Sequence, residues 1–121
     1  MRTIHDHETN DTNRQIKITA DEVDPNNGNA SHEYEIARTE GQLHFATLSF
    51  QHGPAAEYGV NGITNEVLLA IVADRLRCFQ TSKYACRENA LALTKIEEAA
   101  HWLEARTTAR TRRGVEGTHK V

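Results

Sequence analysis

The chain has 121 residues, 38% of them hydrophobic, and a formal charge of −3, which bounds it to one domain with a modest core. No apolar run is long enough to cross a bilayer and no signal peptide is visible, so the expectation is a soluble protein that stays in the cytoplasm where it is made. The charge is uneven: residues 1–60 carry ten acids and four bases, a net −6, whereas residues 61–121 carry seven acids and ten bases, a net +3. An anionic ligand therefore belongs to the C-terminal half, while the overall negative charge argues against a nucleic-acid binder.

Residues 1–13 are polar and aperiodic and read as a mobile arm. His5 and His7 in it lack a third ligand nearby, so no metal site is expected there. From Arg14 to Thr19, Ile16 and Ile18 share one face of a short strand. Asp24-Pro25-Asn26-Asn27-Gly28-Asn29 is a turn. His32–Arg38 forms a second strand, with Tyr34 and Ile36 on one face, and Glu40-Gly41 turns the chain. Gln42–Gln51 is the third strand; Leu43 and Phe45 lie in one phase and Leu48 and Phe50 in the other, which points to a bulge or to a strand covered on both sides. Gly59-Val60-Asn61-Gly62-Ile63-Thr64 reads as a turn between sheet and helix, or as a backbone N–H cradle for an anion.

Two helices follow. Thr64 or Asn65 caps the first, Glu66 suits its positive dipole end, and Val67, Leu68, Leu69, Ile71, Val72 and Leu76 make an apolar face too wide to stay uncovered. A small domain with such a face completes its core by oligomerising. The break falls at Phe79–Lys83. The second helix runs from about Ala85 to about Arg113, with a stripe of Leu93, Ile96, Ala100 and Leu103 and with Gly114 as its C-cap. That stripe extends to Asn89 at one end and to Thr107 and Arg110 at the other. Arg106 and Arg110 are four apart on one face, two guanidinium forks that suit a phosphate or pyrophosphate; the competing reading is a helix C-terminus that attracts cations. Cys78 and Cys86 are expected to be reduced packing residues. The fold class is therefore α+β: a mobile polar arm (1–13), a three-stranded antiparallel meander (14–58) and a two-helix antiparallel hairpin (59–121), one domain overall.

No catalytic constellation is present. There is no paired Cys/His zinc pattern and no nucleophile elbow, and the adjacent Glu97 and Glu98 point in different directions on a helix. His101, beside Trp102, reads as an exposed helix residue. The expectation is a protein with no metal, no cofactor and no enzymatic activity.

From about Leu43 to Val121 the chain resembles the Thoeris anti-defence protein 1 family, phage proteins that share a helical hairpin with the anti-CBASS cyclic-nucleotide sponges. The resemblance is carried by Gly59-Val60-Asn61-Gly62-Ile63-Thr64-Asn65-Glu66, by Cys86-Arg87-Glu88-Asn89-Ala90-Leu91-Ala92-Leu93-Thr94-Lys95-Ile96-Glu97-Glu98-Ala99, and by Arg113-Gly114-Val115-Glu116-Gly117-Thr118-His119. It implies a sponge acting in the host bacterial cytoplasm, which binds the cyclic ADP-ribose isomer made by bacterial TIR enzymes and holds it intact. Some relatives also take cyclic di- or trinucleotides at a second site within a hexamer. The residues matching the family's ligand pocket are Phe79, Asn89, Arg106 and Arg110: an aromatic ring to stack on adenine, an amide to pair with base or ribose, and two cations for the pyrophosphate.

Asn89 and Arg106 are seventeen positions apart on one helix, roughly 25 Å at the helical rise, farther than a small nucleotide reaches. One pocket holds all four residues only if a second, antiparallel chain brings its arginines to the first chain's turn. The expected assembly is thus a dimer with two symmetric sites, and a trimer of such dimers gives the hexamer. The alternative, a nucleic-acid-binding hairpin using Arg106, Arg110, Arg112 and Arg113, would show a steep salt dependence.

Overall fold

The computed structural model describes all 121 residues. In it four antiparallel strands, β1 (Arg2–Ile4), β2 (Ile16–Ala20), β3 (Glu33–Arg38) and β4 (His44–Ser49), form one sheet in sequential order. The short helix α1 (Asp11–Arg14) lies in the β1–β2 connection; the short helix α2 (Ala55–Tyr58), then α3 (Asn65–Gln80) and α4 (Arg87–Arg112), follow the last strand. The chain divides into two compact units, Met1–Ile63 and Thr64–Val121.

The α+β class holds, but the sheet has four strands rather than three. The added strand is β1, in the stretch that reads as a polar arm. Arg-Thr-Ile is too short to display a period, and its place is set by partners distant in sequence. Thr3 pairs with Thr19 and Ile4 with Ile18, while the Arg2 guanidinium donates to Ser31 Oγ at 2.9 Å. Ser31 is buried and donates in turn to the Asp21 carbonyl. His7 bonds through Nε2 to the Ile16 carbonyl at 2.6 Å; since a carbonyl only accepts, the proton sits on Nε2.

Across the sheet, Ile18, Ile36 and Ala46 align on one face, as do Ala20, Tyr34 and Leu48, while Thr19, Glu35 and Thr47 align on the other. Ile36 opposes Ala46 but Ala37 opposes His44, so Phe45 is the extra residue of a bulge, the first of the two options left by the phase switch in β4. Beyond β4, Phe50 meets Tyr34 edge to face at 5.5 Å.

The turn after β2 forms where Asp-Pro-Asn-Asn-Gly predicts it. The Asp24 carboxylate accepts from Asn26 N–H (3.0 Å) and from the Asn27 side-chain amide (2.7 Å), with His32 Nε2 at 3.3 Å. These contacts, Asn27 foremost, hold the Asp24 carboxyl below the ordinary aspartate pKa.

Gly59–Ile63 is the turn, not the anion cradle. Asn61 and Ile63 are already committed within the fold: Asn61 N–H donates to Gln51 Oε1, the Asn61 side chain bonds both N–H and C=O of His52, and Ile63 N–H donates to the Ser49 carbonyl. Gly62 packs against the chain after β4 so closely that a Cβ there would lie 2.4 Å from the Phe50 carbonyl carbon.

In the second unit, Thr64 caps α3 by accepting the Val67 N–H, and Cys86 caps α4 through Sγ, which accepts from Asn89 N–H at 3.4 Å. Gln80 clasps the intervening turn, its amide bonding both N–H and C=O of Cys86. Both cysteines are free and exposed, so neither is the packing residue expected; Cys86 serves as a cap. Leu93, Ile96, Ala100 and Leu103 are half-buried in the hairpin, as their spacing predicts, and Arg77 bridges to Glu97 at 3.1 Å. The core is thin. No large side chain is fully buried anywhere, and on α3 Val67, Ile71 (59% exposed) and Val72 face outward in the single chain.

Candidate functional site

The break between α3 and α4 is where the chemistry collects. Phe79 stands in the last turn of α3, Asn89 in the first turn of α4, and Tyr84 between them. These three residues line a recess of about 310 Å³. Phe79 and Tyr84 lie edge to face, with centroids 6.5 Å apart and planes at 75°. A cation sits over each ring, Arg75 at 5.0 Å from the Phe79 centroid and Lys83 at 5.3 Å from that of Tyr84; neither cation lines the recess. The Asn89 backbone N–H is held by Cys86 Sγ, which leaves its side-chain amide to offer a donor and an acceptor.

The turn positions the two rings through one hydroxyl. Ser82 Oγ donates to the Phe79 carbonyl at 2.7 Å and accepts the Tyr84 N–H at 3.1 Å. Thr81 N–H and Oγ1 bond back to the Cys78 carbonyl. A loop fixed by its own side-chain bonds holds its aromatic groups in place before any ligand arrives.

The structure thus brings Phe79 and Asn89 together and leaves Arg106 and Arg110 more than four turns further along α4. Arg106 is exposed. Arg110 is 7% exposed and already engaged. Its Nη atoms donate to the carbonyls of Lys120 (2.8 Å), Val115 (2.9 Å) and Thr118 (3.1 Å). The Glu116 carboxylate lies 3.3 Å from Nε, but the Nε–H does not point at it and forms no hydrogen bond. Gly114, at a φ of +72°, reverses the chain as the C-cap spacing predicts, and Arg113 donates to the Val121 backbone oxygen at 2.7 Å. Residues 115–121 therefore wrap the end of α4. Arg112 lies on another face, in a shallow recess with His101, Glu104, Ala105, Thr108 and Ala109.

Tyr84 is the recess residue that sequence reasoning missed. Its signal was an aromatic in an otherwise polar turn, two residues before the α4 cap. The burial of Arg110 had no local signal, because it depends on the return of the tail.

The hairpin is also what the chain shares with known proteins. Residues 46–108, just over half the chain, match the family model described as the Acb2/Tad1 hairpin domain. The chain belongs to the Acb2/Tad1 hairpin family. Phe79, Asn89 and Arg106 fall inside the matched stretch, and Arg110 lies just beyond it. The chain is also 57% identical over 75 residues to a protein named Thoeris anti-defense 1 from Bacillus phage SBSphiJ7; the match covers 62% of this chain and 53% of the relative, so the chain spans about half that relative's length.

Proposed function

We propose that this chain is a phage anti-defence protein that sequesters, without cleaving, the cyclic ADP-ribose-type signal of a Thoeris TIR system. The observation that carries this reading is the recess at the hairpin turn, where Phe79 and Asn89 face one cavity in a hairpin that matches the Acb2/Tad1 family model, in a chain similar to a Thoeris anti-defence protein. Phe79 stacks on the adenine and Asn89 pairs with base or ribose. Arg106, exposed, takes the pyrophosphate directly; Arg110, whose Nη atoms already hold the tail carbonyls, joins the grip only when ligand displaces residues 115–121. Because the arginines stand at the far end of α4, they come from a second, antiparallel copy, and a dimer carries two sites. Dimers that associate further into a hexamer would create room for cyclic di- or trinucleotides. The site of action is the host cytoplasm; no helix is long and apolar enough to cross a membrane.

The nucleic-acid reading is weakened by the tail. It occupies Arg110 and Arg113 with backbone oxygens, which removes half of the arginine cluster that reading needs. The test is to expose the purified protein to the products of a TIR enzyme, denature it by heat and identify what is released by mass spectrometry. Intact cyclic ADP-ribose isomer is the expected result. Linear ADP-ribose would indicate a hydrolase, and an empty protein would end the sponge reading.

A further inference from the structure

Tyr84 is a large aromatic on a surface turn, 63% exposed, yet it is not loose. Its N–H is tied to Ser82 Oγ, which is tied to the Phe79 carbonyl, so the two aromatic residues are coupled through a single hydroxyl. Their rings stand at 75° with centroids 6.5 Å apart. Two walls near a right angle make a corner. A flat ring laid on one wall meets the other edge-on, the two geometries that aromatic quadrupoles favour.

The cations bear on which way the corner faces. Arg75 and Lys83 sit over the rings at 5.0 and 5.3 Å, but only Phe79, Tyr84 and Asn89 line the recess. The recess itself is therefore apolar and carries one amide, chemistry for a base rather than for a phosphate. Its volume, about 310 Å³, lies at the small end of ligand pockets; it accommodates one nucleobase with part of its sugar. An Asn amide presents a donor and an acceptor side by side, matching the edge of adenine.

We propose that Tyr84 is a further binding residue, the second aromatic wall that makes this recess select a purine ring over a pyrimidine. This rests on the sponge reading for the identity of the whole ligand, but not for the chemistry of the corner. A purine, with two fused rings, covers one wall and still reaches the other; a pyrimidine on one wall leaves the second without a partner. The ring is what matters, since the Tyr84 hydroxyl makes no bond in the chain.

The experiment is calorimetric titration of the full chain and three variants, Phe79→Ala, Tyr84→Ala and Tyr84→Phe, with the cyclic ADP-ribose isomer as probe. Loss of one stacking wall weakens binding by about tenfold or more, so Tyr84→Ala is expected to lose at least that. Tyr84→Phe is expected to stay within about threefold, as the same surface is kept. Binding lost in Phe79→Ala but unchanged in Tyr84→Ala overturns the inference while leaving the sponge reading standing. If the wild-type chain binds no cyclic ADP-ribose isomer, the sponge reading fails, and saturation-transfer NMR with adenosine and cytidine monophosphates decides the corner. Transfer from the Tyr84 ring to the purine but not the pyrimidine supports the inference; transfer to both equally, or to neither, overturns it.

Discussion

Arg110 makes the sharpest demand at the scale of single residues. Its three hydrogen bonds run from a cation to neutral carbonyls, and bonds to charged groups contribute about 1.5–3 kcal/mol each. Replacing it strands those carbonyls, so Arg110→Ala should speed amide exchange through residues 115–120, which hydrogen-exchange mass spectrometry reads directly. Arg110→Lys keeps the charge but loses the planar fork and should free the tail nearly as much. Arg106 has no such duty. Arg106→Ala should weaken binding of the cyclic ADP-ribose isomer by about tenfold or more, a loss of about 1.4 kcal/mol, without altering exchange in the tail. Arg112, on another face, should leave both unchanged when replaced by Ala, and is the control for the loss of one positive charge. Asp24 makes a separate prediction. Its lowered pKa means that it stabilises the fold above the ordinary aspartate value and that this contribution disappears as the pH falls through the lowered value. Asp24→Asn should therefore lower stability across the neutral range and flatten the acid limb of a stability–pH curve followed by circular dichroism, the two proteins converging at low pH, where the wild-type carboxyl is protonated.

Between single residues and the whole molecule stand the elements, and here legibility in the sequence followed locality. The start of α3 and the end of α4 were readable because Thr64 and Gly114 act within a turn of themselves, whereas Cys86, expected to pack, caps α4 instead. The β4 bulge was readable as a change of phase between Phe45 and Leu48. β1 was not, since three residues carry no period and the partners that hold them, Ile18 and Ser31, are far along the chain. The same distinction divides the candidate site. Phe79 and Asn89 could be placed at one turn from helix spacing alone, whereas the engagement of Arg110 needed the path of the tail. Gly62 illustrates an element held by backbone contact. In Gly62→Ala the new methyl meets the Phe50 carbonyl carbon at 2.4 Å, and main chain cannot rotate out of the way. The variant should lose about 1–3 kcal/mol, seen as a lower midpoint in urea unfolding with an unchanged slope.

For the molecule as a whole, the apolar surface left by one chain sets the expectation. Val67, Ile71 and Val72 on α3 are each more than two-fifths exposed, and covering them is worth on the order of 1 kcal/mol apiece. The separation of Phe79 and Asn89 from Arg106 along α4 asks for the same second copy. Light scattering at micromolar concentration should report at least a dimer; a monomer with full ligand affinity would refute the shared site. The proposed phosphate contacts are made by arginines, which keep their charge throughout the physiological range. Affinity should thus change little between about pH 6 and 8, and a steep loss over that interval would instead place His101 or His119 in the site.

The wrapped end of α4 also bears on how this protein is handled. Residues 115–121 act as a sheath that keeps the Arg110 guanidinium out of contact with bulk solution and ties the exposed Arg113 to the Val121 backbone oxygen. A protease that nicked the chain after Gly114, or a fusion partner that pulled the sheath away, would bare a cationic tip on an otherwise acidic protein. Such a preparation should cling to heparin and carry contaminating nucleic acid through purification, mimicking an activity that the intact chain does not need.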